Sequence, residues 1–183
     1  MKILVFAASL KKDSLNKKLS AQAAEILKTQ PNLTIDLANF QEFEMPMYDG
    51  DLEESSGIPS GAQELIRRIQ ASDAILISTP EYNGGIPGTL KNAIDWASRS
   101  RPTPFTGKHI LLLGASPGGF GAVRGLAHTR IPLETLGAYV YPQMFGVPRA
   151  HEAFDESSKF KDPKQLDHLT KLIGAFVKFA QAR

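Results

Sequence analysis

The chain has no cysteine among its 183 residues. Disulfides, thiolate metal sites and cysteine nucleophiles are thereby excluded, and with them a protein tyrosine phosphatase reading of an α/β domain of this size. An excess of charge of one sign is also missing. Against 19 acidic residues stand 21 basic ones, a net charge of +2 that offers no basis for nucleic-acid or membrane binding. No apolar run is long enough for a membrane span. The N-terminal run is too short for a signal peptide and lacks a cleavage pattern, so a cytoplasmic location is expected. Without a secretory signal, Asn32-Leu33-Thr34 reads as a chance match to a glycosylation acceptor. The histidines His109, His128, His151 and His168 are scattered without ligand spacing, so neither a metal site nor a catalytic histidine is expected. There is no P-loop lysine motif, internal repeat or low-complexity tract. A hydrophobic content of 42% and a charged content of 22% are ordinary for a globular chain, and the length suits one domain, residues 1–183, with a single sizeable core.

What is present is an alternation of strands and helices. Strands are expected at 2–7, 33–37, 74–78, 110–114 and 138–141. The short all-apolar run Ile110-Leu111-Leu112-Leu113 fits a sheet covered on both faces. Helices are expected over about 16–28, 63–70, 88–98, 123–136 (interrupted near Pro132) and 163–181, with a long connection from Gln41 to Pro59 that contains prolines, glycines and acids. Five strands alternating with helices imply an α/β fold with a parallel sheet and right-handed crossovers. Strand order 2-1-3-4-5 follows, with a binding crevice between strands one and three.

Two loops reach that crevice. After strand three comes Thr79-Pro80-Glu81-Tyr82-Asn83-Gly84-Gly85-Ile86-Pro87-Gly88, directly before a helix. It offers backbone groups, glycines that allow close approach and one aromatic ring, a seat for a planar heterocycle. After strand one comes Ala8-Ser9-Leu10-Lys11-Lys12-Asp13-Ser14-Leu15-Asn16. Hydroxyls, an amide and an ammonium are gathered there before a helix N-terminus, whose free N–H groups and partial positive charge favour a phosphate. The alternative is that Ser14 or Asn16 merely caps the helix. Gly119, Gly121 and Gly125 are spaced G-x-G-x-x-x-G rather than as a dinucleotide fingerprint and lack the matching acid, so they read instead as a close-approach loop beside the ligand.

Together these residues resemble the NADPH-dependent FMN reductase family, in its quinone and chromate reductase branch, part of the flavodoxin-like group. The family pattern G-S-L-R-x-x-S-x-N is met by Ala8 to Asn16, with Ala8 for glycine and Lys11 for arginine. T-P-E-Y-N, then P-G-x-L-K-N-A-I-D-W, is met by Thr79 to Asn83 and Pro87 to Trp96. The resemblance spans the whole chain. It implies a flavodoxin-like three-layer sandwich and FMN as cofactor, with NADPH or NADH as co-substrate. It places Ser9, Lys11, Ser14 and Asn16, with Leu15 between them, at the FMN phosphate. Pro80, Glu81, Tyr82, Asn83 and Gly84 would border the ring on one side, and Ser116, Pro117, Gly118 and Gly119 on the other. It implies an NAD(P)H oxidoreductase passing hydride through FMN to quinones, with chromate, ferric or azo acceptors also admitted, and no catalytic side chain. A homodimer or dimer of dimers is implied, with the helix at 88–98 at the contact. Open alternatives are a solvated Glu81, a Tyr82 at a subunit contact, Asp95 and Trp96 as helix packing, and Arg124 either at an NADPH phosphate or on the surface. The rival function is a flavodoxin-type electron carrier, which the near balance of charge disfavours.

Overall fold

A computed structural model describes residues 1–182. The parallel sheet is built from β1 (Lys2–Ala7), β2 (Thr34–Ala38), β3 (Ala74–Ser78), β4 (His109–Ala115), β5 (Tyr139–Val140) and β6 (Phe145–Val147). Its order is β2-β1-β3-β4-β5, as the alternation implied, with β6 also paired to β4. β1 and β3 are adjacent, with Ala7 opposite Ser78 at their carboxyl ends. β1, β3 and β4 are buried almost throughout, which is why they read as continuous apolar runs.

Helices cover both faces. α1 (Leu15–Lys28) and α7 (Pro163–Gln181) bury Leu19, Leu27, Ile173 and Phe176 with Ile3 and Val5 on one face. α3 (Ser60–Gln70), α4 (Gly88–Ala97) and α5 (Val123–Thr135) bury Leu65, Leu90, Ile94 and Leu126 with Leu4 and Ile77 on the other. The chain therefore leaves β1 toward one face and β3 toward the opposite face, and a crevice opens where they part.

The structure adds detail to one segment and corrects two expectations. The long connection 41–59 has local structure of its own. It holds a 3₁₀ turn (Phe40–Phe43), capped by Asn39, and a helix, α2 (Gly50–Ser56), capped by Asp49. Helix α5 runs through Pro132 without interruption. A proline there forfeits one bond, to the exposed His128 carbonyl, while Leu126 and Leu133 stay buried on either side of it. The last strand is split. The Tyr141 N–H reaches Ile110 O at 2.8 Å, but the register then changes: Val140 pairs with Ile110 and Phe145 with Leu113, so a step of five residues here faces a step of three on β4. The backbone departs and returns as β6, pairing Phe145 to Val147 with Leu113 to Ala115. A short helix, α6 (Ala150–Ala153), follows.

Asp95 and Trp96 prove to be helix residues with structural partners. Trp96 is fully buried, and its indole N–H and the Asn92 amide both donate to Pro46 O at 2.8 Å, while Asn92 Oδ1 accepts the Tyr48 N–H at 2.7 Å. Asp95 pairs with Lys91 at 2.7 Å on the outer side of α4. The long connection is thus moored to α4 by one turn of helix. It is pressed equally close to α3, where a Cβ on Gly61 would overlap the Glu44 carbonyl. Because the obstacle is backbone, Gly61→Ala is expected to cost about 3 kcal/mol through overpacking, lowering the melting temperature by roughly 6–12 °C in calorimetry. Unchanged melting would show that the Glu44 segment yields freely.

Candidate active site

At the carboxyl ends of β1, β3 and β4 lies a cavity of about 210 Å³. The β1–α1 loop contributes Ser9, Lys11, Asp13, Ser14, Leu15 and Asn16 to its wall. The β3–α4 loop contributes Pro80, Glu81 and Tyr82, and the segment after β4 contributes Ala115, Ser116 and Pro117. Ten of the residues singled out in the sequence are thereby collected around one space. Asn83, Gly84, Gly118 and Gly119 continue the same two loops outside its wall. Asp13 and Ala115 line the cavity without any local signal that would have marked them. Larger cavities of about 310 Å³ between α1 and β2 and about 460 Å³ beside His109 and Tyr139 are not at the β1–β3 parting.

Ser14 is the N-cap of α1. Its hydroxyl oxygen accepts from the Asn16 and Lys17 N–H groups at 3.2 and 3.4 Å, so the capping alternative is realised. Its own proton remains to be donated. Ser9 is buried, and neither its hydroxyl nor the exposed Lys11 ammonium has a side-chain partner among the described residues. Two hydroxyls, one ammonium and the positive end of a 14-residue helix make a donor set for an anion, with the exposed Asp13 carboxylate as an opposing charge.

Asn16 behaves differently. Its side chain is only 3% exposed. The amide nitrogen donates to Ala115 O at 2.9 Å, and the amide oxygen accepts the Ala115 N–H at 2.9 Å and the Ser78 hydroxyl at 3.0 Å. Both acceptor positions and one N–H of the carboxamide are spent on the protein, leaving one N–H.

The β3–α4 loop is stiff. Asn83 and Gly84 both have positive φ, 51° and 76°, and Tyr82 and Gly85 exchange two backbone hydrogen bonds across them. This is the two-residue hairpin that an Asn-Gly pair favours. It leaves the Tyr82 ring 58% exposed at the cavity mouth.

Glu81 is not a solvated acid: its side chain is only 7% exposed. One oxygen accepts from the Arg124 guanidinium at 2.8 and 2.5 Å, the other from the backbone N–H groups of Arg124 and Gly125, both at 3.0 Å. It therefore caps α5 from a distance of 43 positions in the chain, a link with no local signature. Burial opposes its ionisation, but the Gly125 N–H, the Arg124 side chain and the Arg124 N–H outweigh that and hold its pKa below the ordinary carboxylate value. Arg124 lies over the Phe120 ring, 5.0 Å from its centre. Two of the three glycines singled out after β4 serve protein contacts: a Cβ on Gly121 would crowd the Gly146 to Pro148 backbone, and one on Gly125 would crowd Glu81, whereas one on Gly119 would meet open space.

Comparison with known proteins shows the family and the fold. The profile of the family described as NADPH-dependent FMN reductase matches residues 1–152. An NAD(P)H-dependent FMN reductase of Pseudomonas aeruginosa is 36% identical over 177 residues, covering 96% of this chain and 92% of that protein. A quinone reductase of Escherichia coli is 32% identical over 185 residues, covering 99% and 96%. Among solved structures, FerB, a flavoenzyme NAD(P)H:(acceptor) oxidoreductase from Paracoccus denitrificans, superposes with a TM-score of 0.82 at 30% identity, covering 98% and 97%.

The Glu81 cap generates a pH-dependent expectation. A carboxylate whose folded pKa is depressed stabilises the fold above its unfolded value of about 4.3, and that contribution is lost as pH falls through the folded value. Glu81→Gln should therefore cost about 2 kcal/mol at pH 7. In urea titrations the gap to the wild type should narrow below about pH 4. A gap that stays constant with pH would assign the loss to packing instead.

Proposed function

The chain belongs to the NADPH-dependent FMN reductase family and is an FMN- and NAD(P)H-dependent oxidoreductase; we propose that quinones are its acceptors and that FMN occupies the crevice between β1 and β3. The observation that carries the placement is the convergence of the Ser9, Lys11 and Ser14 donors with the α1 N-terminus beside the exposed loop of Tyr82. The donor set suits a phosphate monoester, which carries about −1.5 to −2 charges at neutrality. At about 210 Å³ the cavity is smaller than a typical ligand pocket. It suits the phosphate arm, with the ring lying out over Pro80 to Gly84 and against Ser116 to Gly119.

In that arrangement Ser9, Lys11 and Ser14 neutralise and anchor the phosphate. Lys11 does so as a point charge, without the fork of an arginine. When bound, FMN supplies the chemistry that links a two-electron donor to a two-electron acceptor. The protein's part is to bind and orient. The Asn83–Gly84 hairpin holds the loop backbone still, and the Glu81–Arg124 pair fixes it to α5. No histidine, cysteine or unpaired buried acid stands at the cavity to act as nucleophile or base. An open site of this kind admits quinones and, by the same lack of enclosure, chromate, ferric or azo compounds.

We also infer a homodimer or dimer of dimers. Tyr82 and Phe120 expose 58% and 68% of their surface beside the cavity, and a second copy laid over them would enclose the ring that one chain leaves open. The outer side of α4 carries the Lys91–Asp95 pair, so its share of the contact is polar. A cytoplasmic setting accords with the finding that no described helix is long and apolar enough to cross a membrane.

The purified protein, given FMN and desalted, should retain a flavin spectrum that bleaches on anaerobic addition of NADPH or NADH and returns on addition of a benzoquinone. Retained flavin that neither nucleotide bleaches would favour an electron carrier served by a separate reductase. Lys11→Ala should weaken FMN about tenfold through loss of a charge-assisted contact, leaving riboflavin, which lacks the phosphate, unaffected. Equal loss of both flavins would remove Lys11 from the phosphate. Light scattering after gel filtration that gives only the monomer mass would remove the dimer.

A further inference from the structure

The family pattern places Asn16 among the phosphate ligands, yet three of the four bonding positions of its side chain are spent elsewhere. A carboxamide has two acceptor lone pairs and two N–H groups. Both lone pairs of Asn16 are taken, by the Ala115 N–H at 2.9 Å and the Ser78 hydroxyl at 3.0 Å, and one N–H goes to Ala115 O at 2.9 Å. These partners are 62 and 99 positions away in sequence and sit at the ends of β3 and β4. Each marks the root of one wall of the crevice: Ser78 precedes the Thr79 to Gly88 loop, Ala115 precedes Ser116 and Pro117, and Asn16 stands in the first turn of α1, directly after the loop that begins at Ser9.

The geometry points to a role that rests on the FMN reading and refines it: we propose that Asn16 is a positioning residue that sets the separation of the three loops, and not a ligand of the phosphate. Its two bonds to Ala115 use the N–H and C=O of one residue, which fixes both the distance and the rotation of the β4 end relative to α1. The third bond closes the triangle through β3. All three are buried, where a lost partner leaves a polar group that water does not readily satisfy. The crevice is therefore held at its width before any ligand arrives, so that flavin binding need not order the loops. Asn16 acts on the whole flavin, through the spacing of the walls, while Lys11 acts on the phosphate alone.

Riboflavin and FMN separate the two roles. Asn16→Ala should weaken FMN and riboflavin alike, each on the order of tenfold. Without flavin, it should lower the melting temperature by roughly 5–10 °C and speed hydrogen exchange at the Ala115 amide. Ser78→Ala, which leaves both Ala115 bonds in place, should show the same equal loss in smaller measure, and the double variant should fall short of additivity. It also decides the matter by the same criterion if Asn16→Ala does not fold. Loss of FMN affinity with riboflavin affinity and Ala115 exchange unchanged would make Asn16 a phosphate ligand and overturn the proposal. A lower melting temperature with both affinities intact would overturn it as well, reducing Asn16 to a fold residue. A wild-type protein that binds neither flavin would instead overturn the FMN reading itself, and this inference with it.

Discussion

Strand β1 is paired on both sides, to β2 and to β3, and the chain leaves β1 and β3 toward opposite faces of the sheet. That constraint organises the rest. A sheet covered by helices on both faces buries its strands and its backbone ladder, so the free loop backbone gathers beyond the strand ends. Where neighbouring crossovers diverge, nothing fills the space between the loops that begin them. The β1–α1 and β3–α4 loops border that space by topology, and the segment after β4 borders it because β4 pairs with β3. The crevice is thus a consequence of strand order, whichever residues line it.

Topology places three loops near one another; buried polar contacts make them a site. Asn16 joins their roots, and Glu81 ties the ring loop to the N-terminus of α5. The Asn92 and Trp96 bonds to Pro46 hold the long connection onto α4. In each case a side chain of one loop or helix satisfies backbone groups of another, which is how irregular segments become rigid without secondary structure of their own. The groups left over at the crevice, the hydroxyls of Ser9 and Ser14, the ammonium of Lys11 and one N–H of Asn16, are free to meet a ligand. The division of labour between holding and binding is read from which donors and acceptors are already spent.

Much of this was legible in the chain. The apolar runs at Ile3, Ile75 and Ile110 identified the buried strands because a doubly covered strand has no solvent side to alternate toward. The order 2-1-3-4-5 followed from the alternation of elements. Less legible were the features that depend on context. Pro132 lies in an unbroken helix because packing on both sides outweighs one lost bond. The last strand is split because its register against β4 changes between Val140 and Phe145, a pairing that only the neighbouring strand reveals. The helix of Gly50 to Ser56 buries none of its residues, so it carried no apolar stripe from which to be read.

By itself the sequence determined the fold class, the strand order and the two loops that face the crevice, since periodicity and turn chemistry are local and survive without a partner. It also carried the family, through the patterns at Ala8 to Asn16 and Thr79 to Trp96. Only the tertiary structure decided what individual polar residues do there. Ser14, Asn16 and Glu81 look alike in sequence, each a polar group in a loop beside a helix. Their roles diverge because a hydrogen bond is exclusive: a group that has met a partner 43 or 99 positions away is no longer available to a ligand, and which groups meet is settled by packing.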